Sequence, residues 1–259
     1  MAAVELSVIL PAYKEENRLR DTVGSVREYL RREFPSYEMI IVEDASPDNT
    51  YQVARDLAAG DPGIMLIHND KRLGRGSSLN EAIMASHGQY VIYMDVDLAT
   101  DIHYIRKLVE SLRSGAVLAT GSRLIKGADM ERPVVRDIAS KAYNLFVRLL
   151  FSSKVYDHQC GFKGFNKAEI MPALNLVRDN HWFWDTELLV ICQNMGFRVD
   201  EFPVAWKHNG GDNKNASKVR VLKDSAYMGR RLLGLKVRQM SGELTVKSVD
   251  TSAGTMGHH

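Results

Sequence analysis

Short apolar runs alternate with amphipathic stretches through the first half of the chain. Residues 6–10, 39–42, 64–67, 90–94 and 117–120 are dense in aliphatic and aromatic side chains and too short for helices, which predicts five strands. Between them, 19–34, 51–59, 78–85 and 104–112 repeat apolar positions at helical spacing. Strands this apolar cannot present a face to water, so the alternation predicts an α/β fold with a mostly parallel sheet and helices on both faces. Ligands on such sheets bind beyond the carboxyl ends of the strands.

After Ser122 the pattern changes. A polar loop at 126–133 is followed by a long amphipathic helix at 135–151, a glycine-containing strand at 161–165 and a helix at 187–195. A strand at 199–204, a polar loop at 207–217 and a helix at 218–238 complete the series. No linker rich in Pro, Gly and Ser separates the halves, so residues 1–240 read as one domain. Residues 241–259 lack apolar periodicity and end in Gly-His-His, which reads as a flexible tail or a tag remnant.

Composition narrows the class. A chain of 259 residues with 45% apolar and 25% charged side chains is a globular protein with a sizeable core. A net charge of only +2 gives no global field for nucleic acid, and none is expected as a partner. The densest apolar stretch, 145–151, is interrupted by Arg148 and falls far short of the roughly 20 residues of a bilayer span. Two cysteines, Cys160 and Cys192, make neither a disulfide framework nor a thiolate zinc site, which favours a reducing compartment. The Met-Ala-Ala-Val-Glu start shows no secretory pattern, so a cytoplasmic location is expected.

Three predicted strands end in polar clusters that a parallel sheet would bring to one edge: Pro11-Ala12-Tyr13-Lys14-Glu15-Glu16, Glu43 to Thr50, and Asp95-Val96-Asp97-Leu98-Ala99-Thr100. Asp95 and Asp97, two positions apart, suit a hard divalent cation, with Asp97 as ligand and Asp95 on ribose or metal water; the same pattern also builds an Asx turn. Asp44 precedes the capping residues Asp48 and Thr50 and is free to accept the N–H of a uracil or guanine ring. Tyr13 can stack on a base or fill the core. Leu73-Gly74-Arg75-Gly76 opens a helix and offers either backbone N–H groups to an anion or a tight turn. The dispersed histidines His158, His181 and His208 form no metal spacing and fit polar or core roles.

The segments PAYKEE, VEDASPDNT, LGRGSSLNEAI, DVDLAT and GSR resemble inverting glycosyltransferases of the GT-A, Rossmann-like fold. DHQCGFKGF, WFWDTELL and ASK narrow the resemblance to polyprenyl- and dolichyl-phosphate hexosyltransferases, over roughly residues 4–218. The resemblance implies a nucleotide-sugar half at 1–122 and an acceptor half at 123–240. It implies that Pro11, Tyr13, Glu15, Asp44 and Asp95 contact the nucleotide, and that Asp95 and Asp97 hold Mg2+ or Mn2+ with the sugar diphosphate. Arg123, Arg136 and Ser140 would hold the acceptor's phosphate, Lys218 would cover the diphosphate, and Gln159 and Trp184-Asp185-Thr186-Glu187 would line the donor sugar. Asp95, Asp97, Arg123 and Lys218 are the implied catalytic set. Spacing agrees in part: Arg136 and Ser140 lie one helical turn apart and can face one phosphate.

A phosphate acceptor is already anionic, so transfer to it needs no general base. A dolichyl or polyprenyl phosphate does require a membrane surface. The amphipathic stretches 138–155 and 218–238 are candidate interface helices, the second carrying seven basic residues against Asp224 alone. The expected location is therefore peripheral, on the cytoplasmic face of a membrane. Ala99-Thr100 after Asp-x-Asp resembles the glucosyl members, which favours UDP-glucose over GDP-mannose as donor. A nucleotidyltransferase or a non-catalytic nucleotide-sugar-binding module are the alternatives from other classes.

Overall fold

The structure, a computed structural model, describes residues 4–131, 134–207 and 218–245, with side chains at 130–137 and 218–226 not described. Five strands and four helices alternate first: β1 (Leu6–Ala12), α1 (Leu19–Glu33), β2 (Tyr37–Glu43), α2 (Thr50–Gly60), β3 (Ile64–His68), α3 (Arg75–Ala85), β4 (Tyr90–Met94), α4 (Tyr104–Arg113) and β5 (Leu118–Ser122). There follow β6 (Asp129–Glu131), α5 (Val134–Phe151), β7 (Phe162–Asn166), α6 (Lys167–Leu174), α7 (Trp184–Asn194), β8 (Val199–Pro203), β9 (Ala205–Lys207) and α8 (Lys218–Met240).

Seven strands form one sheet in the order β3-β2-β1-β4-β7-β5-β8, and β6 pairs with β9 separately. Only β7 among the seven runs antiparallel, wedged between β4 and β5. Successive residues of β1 divide between two cores: Val8 and Leu10 pack with Leu30, Ile92 and Leu108 on one face, whereas Ile9 packs with Leu79, Tyr93, Trp184 and Leu188 on the other. This period of two with both sides apolar is why the strands read as unbroken hydrophobic runs.

Three elements differ from the sequence reading. The loop expected at 126–133 contains β6, and Ala205 to Lys207 continue past the eighth strand as β9. Helix α6 was not expected because Pro172 sits inside its eight residues. The chain set aside from Ser241 onward also folds in part, since Leu244 is fully buried and its carbonyl accepts from Asn194 Nδ2 at 3.2 Å. The rest of the expected tail, from residue 246, lies outside the described residues.

Helices α5 and α8 pack together and expose apolar side chains: Ile138, Leu145, Phe146 and Leu149 from α5, Leu233, Val237 and Met240 from α8. No helix among the described residues is long and apolar enough to cross a membrane.

Candidate active site

β1, β2 and β4 are mutually parallel neighbours, so their carboxyl ends open onto one edge. Just past each end one non-glycine residue takes a left-handed backbone: Lys14 (φ 62), Ala45 (φ 50) and Leu98 (φ 48). Such residues cost about 1 kcal/mol or more each and concentrate where function dictates the turn. Here they bend the chain away and leave a cleft of about 260 Å³ at the strand ends. Pro11, Tyr13, Glu15, Asp44, Asp95 and Asp97 line it, all six expected there from the sequence. Arg72, Arg75, His181 and Trp182 join them unforeseen.

Asp44 is not free, contrary to the sequence reading. Its carboxylate accepts from the Leu73 N–H at 2.7 Å, the Gly74 N–H at 2.9 Å and Asn69 Nδ2 at 3.3 Å. The glycine-rich turn is therefore a strut for Asp44, and its N–H groups do not await an anion: those of Gly76 and Ser77 donate to the Asn180 carbonyl. Gly74 sits at φ 99 against His181, where a side chain would collide with the imidazole. Asp48, by contrast, closes the entry to α2, accepting from the Thr50 N–H and hydroxyl at 3.2 and 2.6 Å. Tyr13 faces the cleft with the Arg72 guanidinium 3.8 Å above its ring.

Arg75 joins the two sides of the site. It donates to Asp95 Oδ1 and to Asp185 Oδ2, each at 2.8 Å. Asp185 lies beneath, held also by the Tyr93 hydroxyl and by fully buried Lys163, whose Nζ is 2.9 Å from Oδ1. Burial alone would raise the Asp185 pKa, but Lys163 and then Arg75 hold it below the usual carboxylate range. Burial also drives the Tyr93 phenol well above its ordinary value, with the Asp185 charge reinforcing it, so Tyr93 remains a hydrogen-bond donor. The network is satisfied on every side, which rigidifies the floor of the cleft.

Asp97 accepts the Ala99 N–H at 3.0 Å and so builds the Asx turn as well as lining the cleft. Glu15 has a raised pKa, chiefly from burial, with Asp97 and Asp95 adding repulsion and Arg18 opposing it. Clustered hard oxygen donors that repel one another fit a divalent cation. No group of three or more protein ligands exists among the described residues. A cation here would take Asp95 and Asp97 and complete its shell with substrate oxygens and water, the habit of Mg2+.

Of the expected acceptor residues, Arg123 and Ser140 do not line this cleft. Arg123 is committed to buried Asp157 through Nε at 2.7 Å and Nη2 at 2.8 Å, which raises its pKa despite burial and holds Asp157 low. Ser140 is buried and its Oγ has no hydrogen-bond partner. Gln159 donates its N–H to Asp157 Oδ1 at 3.2 Å. The side chains of Arg136 and Lys218 lie outside the described residues. On the expected donor-sugar stretch, Trp184 is fully buried and Glu187 is taken by Arg238 and by the N–H groups of Arg178 and Asp179. Asp185 reaches the site through Arg75, and the residues just before that stretch, His181 and Trp182, are the ones in the cleft.

Two side chains singled out earlier are inert. His158 is neutral, its pKa pushed down to about 3 chiefly by burial, between Ser153 Oγ and Asn144 Oδ1 at 2.8 Å each. Burial pushes the Cys160 thiol up to about 12. Basic residues of α8 are also partly spent on the protein: Arg231 pairs with buried Asp179 at 2.5 Å and Arg238 with Glu187. Its charge is thus less available to a membrane than the sequence suggested.

A doubly covered sheet with a carboxylate-rich cleft at its switch-side edge is a GT-A-like arrangement, and the chain belongs to the family described as Glycosyl transferase family 2, whose pattern matches residues 7–170. It is a glycosyltransferase, which sets aside the two alternative classes. The chain is 44% identical over 235 residues to glycosyltransferase AglD of Haloferax volcanii, covering 90% of this chain and 37% of that protein. Dolichyl-phosphate beta-glucosyltransferases of Dictyostelium discoideum and Homo sapiens are each 28% identical to it. These alignments cover 95% and 92% of this chain and 78% and 76% of theirs. In fold it is similar to glucosyl-3-phosphoglycerate synthase of Mycobacterium tuberculosis, solved with Mn2+, UDP and phosphoglyceric acid. The TM-score is 0.67 at 18% identity over 95% of this chain and 81% of that one.

Proposed function

We propose that this enzyme transfers glucose from UDP-glucose to a dolichyl or polyprenyl phosphate with inversion, giving a β-linked lipid phosphate sugar. The observation that carries this reading is the convergence of Tyr13, Asp44, Asp95 and Asp97 on one cleft in a chain similar, over nearly its whole length, to dolichyl-phosphate beta-glucosyltransferases. Tyr13 and Asp44 hold the base, Asp44 with the lone pair that its backbone strut leaves unused. Asp95 meets the ribose and diphosphate, and Arg75 offers its charge to the same diphosphate. Mg2+ or Mn2+, held by Asp95 and Asp97, would neutralise the leaving diphosphate.

The acceptor's phosphate oxygen attacks the anomeric carbon in line, and the bond to the nucleoside diphosphate breaks on the opposite face. That oxygen is already anionic near neutral pH, so the cleft's carboxylates serve binding and not proton abstraction. Arg136 and Lys218 are assigned to charge neutralisation on the acceptor side, with Ser140 as a neutral hydrogen-bond donor there and Arg123, paired with Asp157, as a support. Gln159, Asp185 and Glu187 are assigned to the surroundings of the sugar, the last two as supports. Exposed Leu149 and Phe146 on α5 with Leu233 and Val237 on α8 support seating on a membrane surface, on its cytoplasmic face, where the lipid phosphate is presented.

Incubation with labelled UDP-glucose or GDP-mannose and dolichyl phosphate, followed by organic extraction, tests the reading. Label from UDP-glucose should enter the organic phase, with UDP inhibiting more strongly than GDP. Label from GDP-mannose alone would overturn the glucosyl assignment, and no lipid-linked label from either would overturn the acceptor.

A further inference from the structure

Trp182 is the one large aromatic side chain at this cleft that is mostly exposed, at 64% of its surface, and no role has yet fallen to it. An exposed indole lining a cleft offers a broad apolar face and an N–H to a ligand there. Its placement is not loose. The residues on either side are fixed: Phe183 and Trp184 are buried, and Trp184 Nε1 donates to Asn80 Oδ1 at 2.8 Å. The His181 N–H donates to Asp179 Oδ1 at 2.8 Å, and the Asn180 carbonyl seats on the first turn of α3. Asp179 itself is gripped by the Tyr227 hydroxyl and Arg231, both at 2.5 Å. An exposed ring on a rigid turn is a preorganised contact.

The location favours one occupant. The Arg75 guanidinium lies 5.4 Å from the Trp182 ring and 2.8 Å from Asp95, so the indole stands beside the place of the diphosphate. The base end has its own aromatic, Tyr13, covered by Arg72. The group attached to the distal phosphate is the hexose. A gluco-configured pyranose carries its hydroxyls equatorially and presents C–H groups on its faces, and the electron-rich face of an indole attracts such positively polarised hydrogens.

From this we infer that Trp182 is the stacking platform for the donor hexose and a determinant of donor affinity. The inference rests on the donor reading above and adds the residue that distinguishes a nucleotide sugar from the bare nucleotide. Trp182→Ala should weaken UDP-glucose binding roughly ten-fold, equivalent to about 1.4 kcal/mol, in titration calorimetry with Mg2+ present. UDP affinity should stay unchanged, and Trp182→Phe should recover much of the loss. In the native protein UDP-glucose should alter tryptophan emission beyond the effect of UDP, and Trp182→Phe should remove that excess. Equal losses for UDP and UDP-glucose, or no loss for either, would overturn the platform alone. Native protein that binds no UDP would overturn the donor reading together with it.

Discussion

Arg75 Nη2 stands 2.8 Å from Asp95 Oδ1, so the carboxylate we propose for donor and cation is already paired with a cation of the protein. The other arm of the same guanidinium holds buried Asp185, and the pairs share a side chain only 12% exposed. Occupancy of the site must therefore compete for Asp95 while Arg75 remains anchored below. Arg75→Leu leaves Asp185 with Lys163 as its one cation, beside the Tyr93 hydroxyl, and Asp95 without its ion pair. Breaking a buried pair costs about 3–5 kcal/mol, and Asp95's 46% exposure brings the expectation here to the lower end. Urea unfolding should show this loss, and Arg75→Lys should recover part of it. An unchanged midpoint for Arg75→Leu would mean the pairs contribute nothing to stability.

Gly161 offers a more selective probe of Asp95. A Cβ built there would lie 1.9 Å from Asp95 Oδ2, so Gly161→Ala must push the carboxylate aside. The obstacle is the end of a side chain, so the fold should persist. Activity should fall roughly a hundred-fold or more, in line with the loss of one preorganised charged group, with circular dichroism unaltered. Activity within two-fold of native would show that the position of Asp95 is not critical.

Asp97→Ala removes the second carboxylate and should abolish Mg2+- or Mn2+-dependent transfer. Calorimetry should show metal no longer strengthening UDP binding, although UDP alone still binds. Metal-assisted UDP binding equal to native would remove the cation from Asp97.

The strand-end carboxylates were legible because each cluster follows a short apolar run, and parallel pairing of β1 with β2 and β4 brings such clusters together. Arg75 and Trp182 were not, because their partners come from distant segments: Arg75 reaches Asp185 110 residues away. Gly74-Arg75-Gly76 was read for its backbone, whereas the arginine between the glycines carried the signal. In Trp182-Phe183-Trp184, three consecutive aromatics lead into α7 and cannot all turn inward; that crowding pointed to an exposed ring. The antiparallel β7 escaped because pairing direction leaves no mark in so short a run. The amphipathic pattern of α8 was visible, but whether its arginines meet Asp179 and Glu187 or solvent depends on tertiary packing.

Buried His158 makes stability depend on pH. Its folded pKa of about 3 lies below the unfolded value of about 6.5, so the unfolded chain binds more protons between those values. The contribution is fully present above pH 6.5 and is lost as pH falls toward 3, at about 1.4 kcal/mol per unit. His158→Gln lacks this titration. The stability difference between native and variant in urea should therefore shrink by roughly 2–3 kcal/mol from pH 7 to 4.5. A difference independent of pH would mean that His158 has the same pKa in the fold as in the unfolded chain.

The apolar faces of α5 and α8 yield the last prediction. Leu149 is 74% exposed and Leu233 62% exposed, and neither lines the cleft. If a membrane covers them, each should gain about 1.5–3 kcal/mol on burial, whereas an aspartate at either site would oppose insertion and repel anionic headgroups. Leu149→Asp and Leu233→Asp should each lower co-sedimentation with vesicles of anionic lipid and dolichyl phosphate at least ten-fold. UDP affinity should not change, because no residue of the nucleotide cleft is touched. Transfer to dolichyl phosphate in vesicles should fall with vesicle binding, yet return when the acceptor is supplied in detergent micelles. Two variants that sediment with vesicles as the native protein does would show that neither face rests on the membrane.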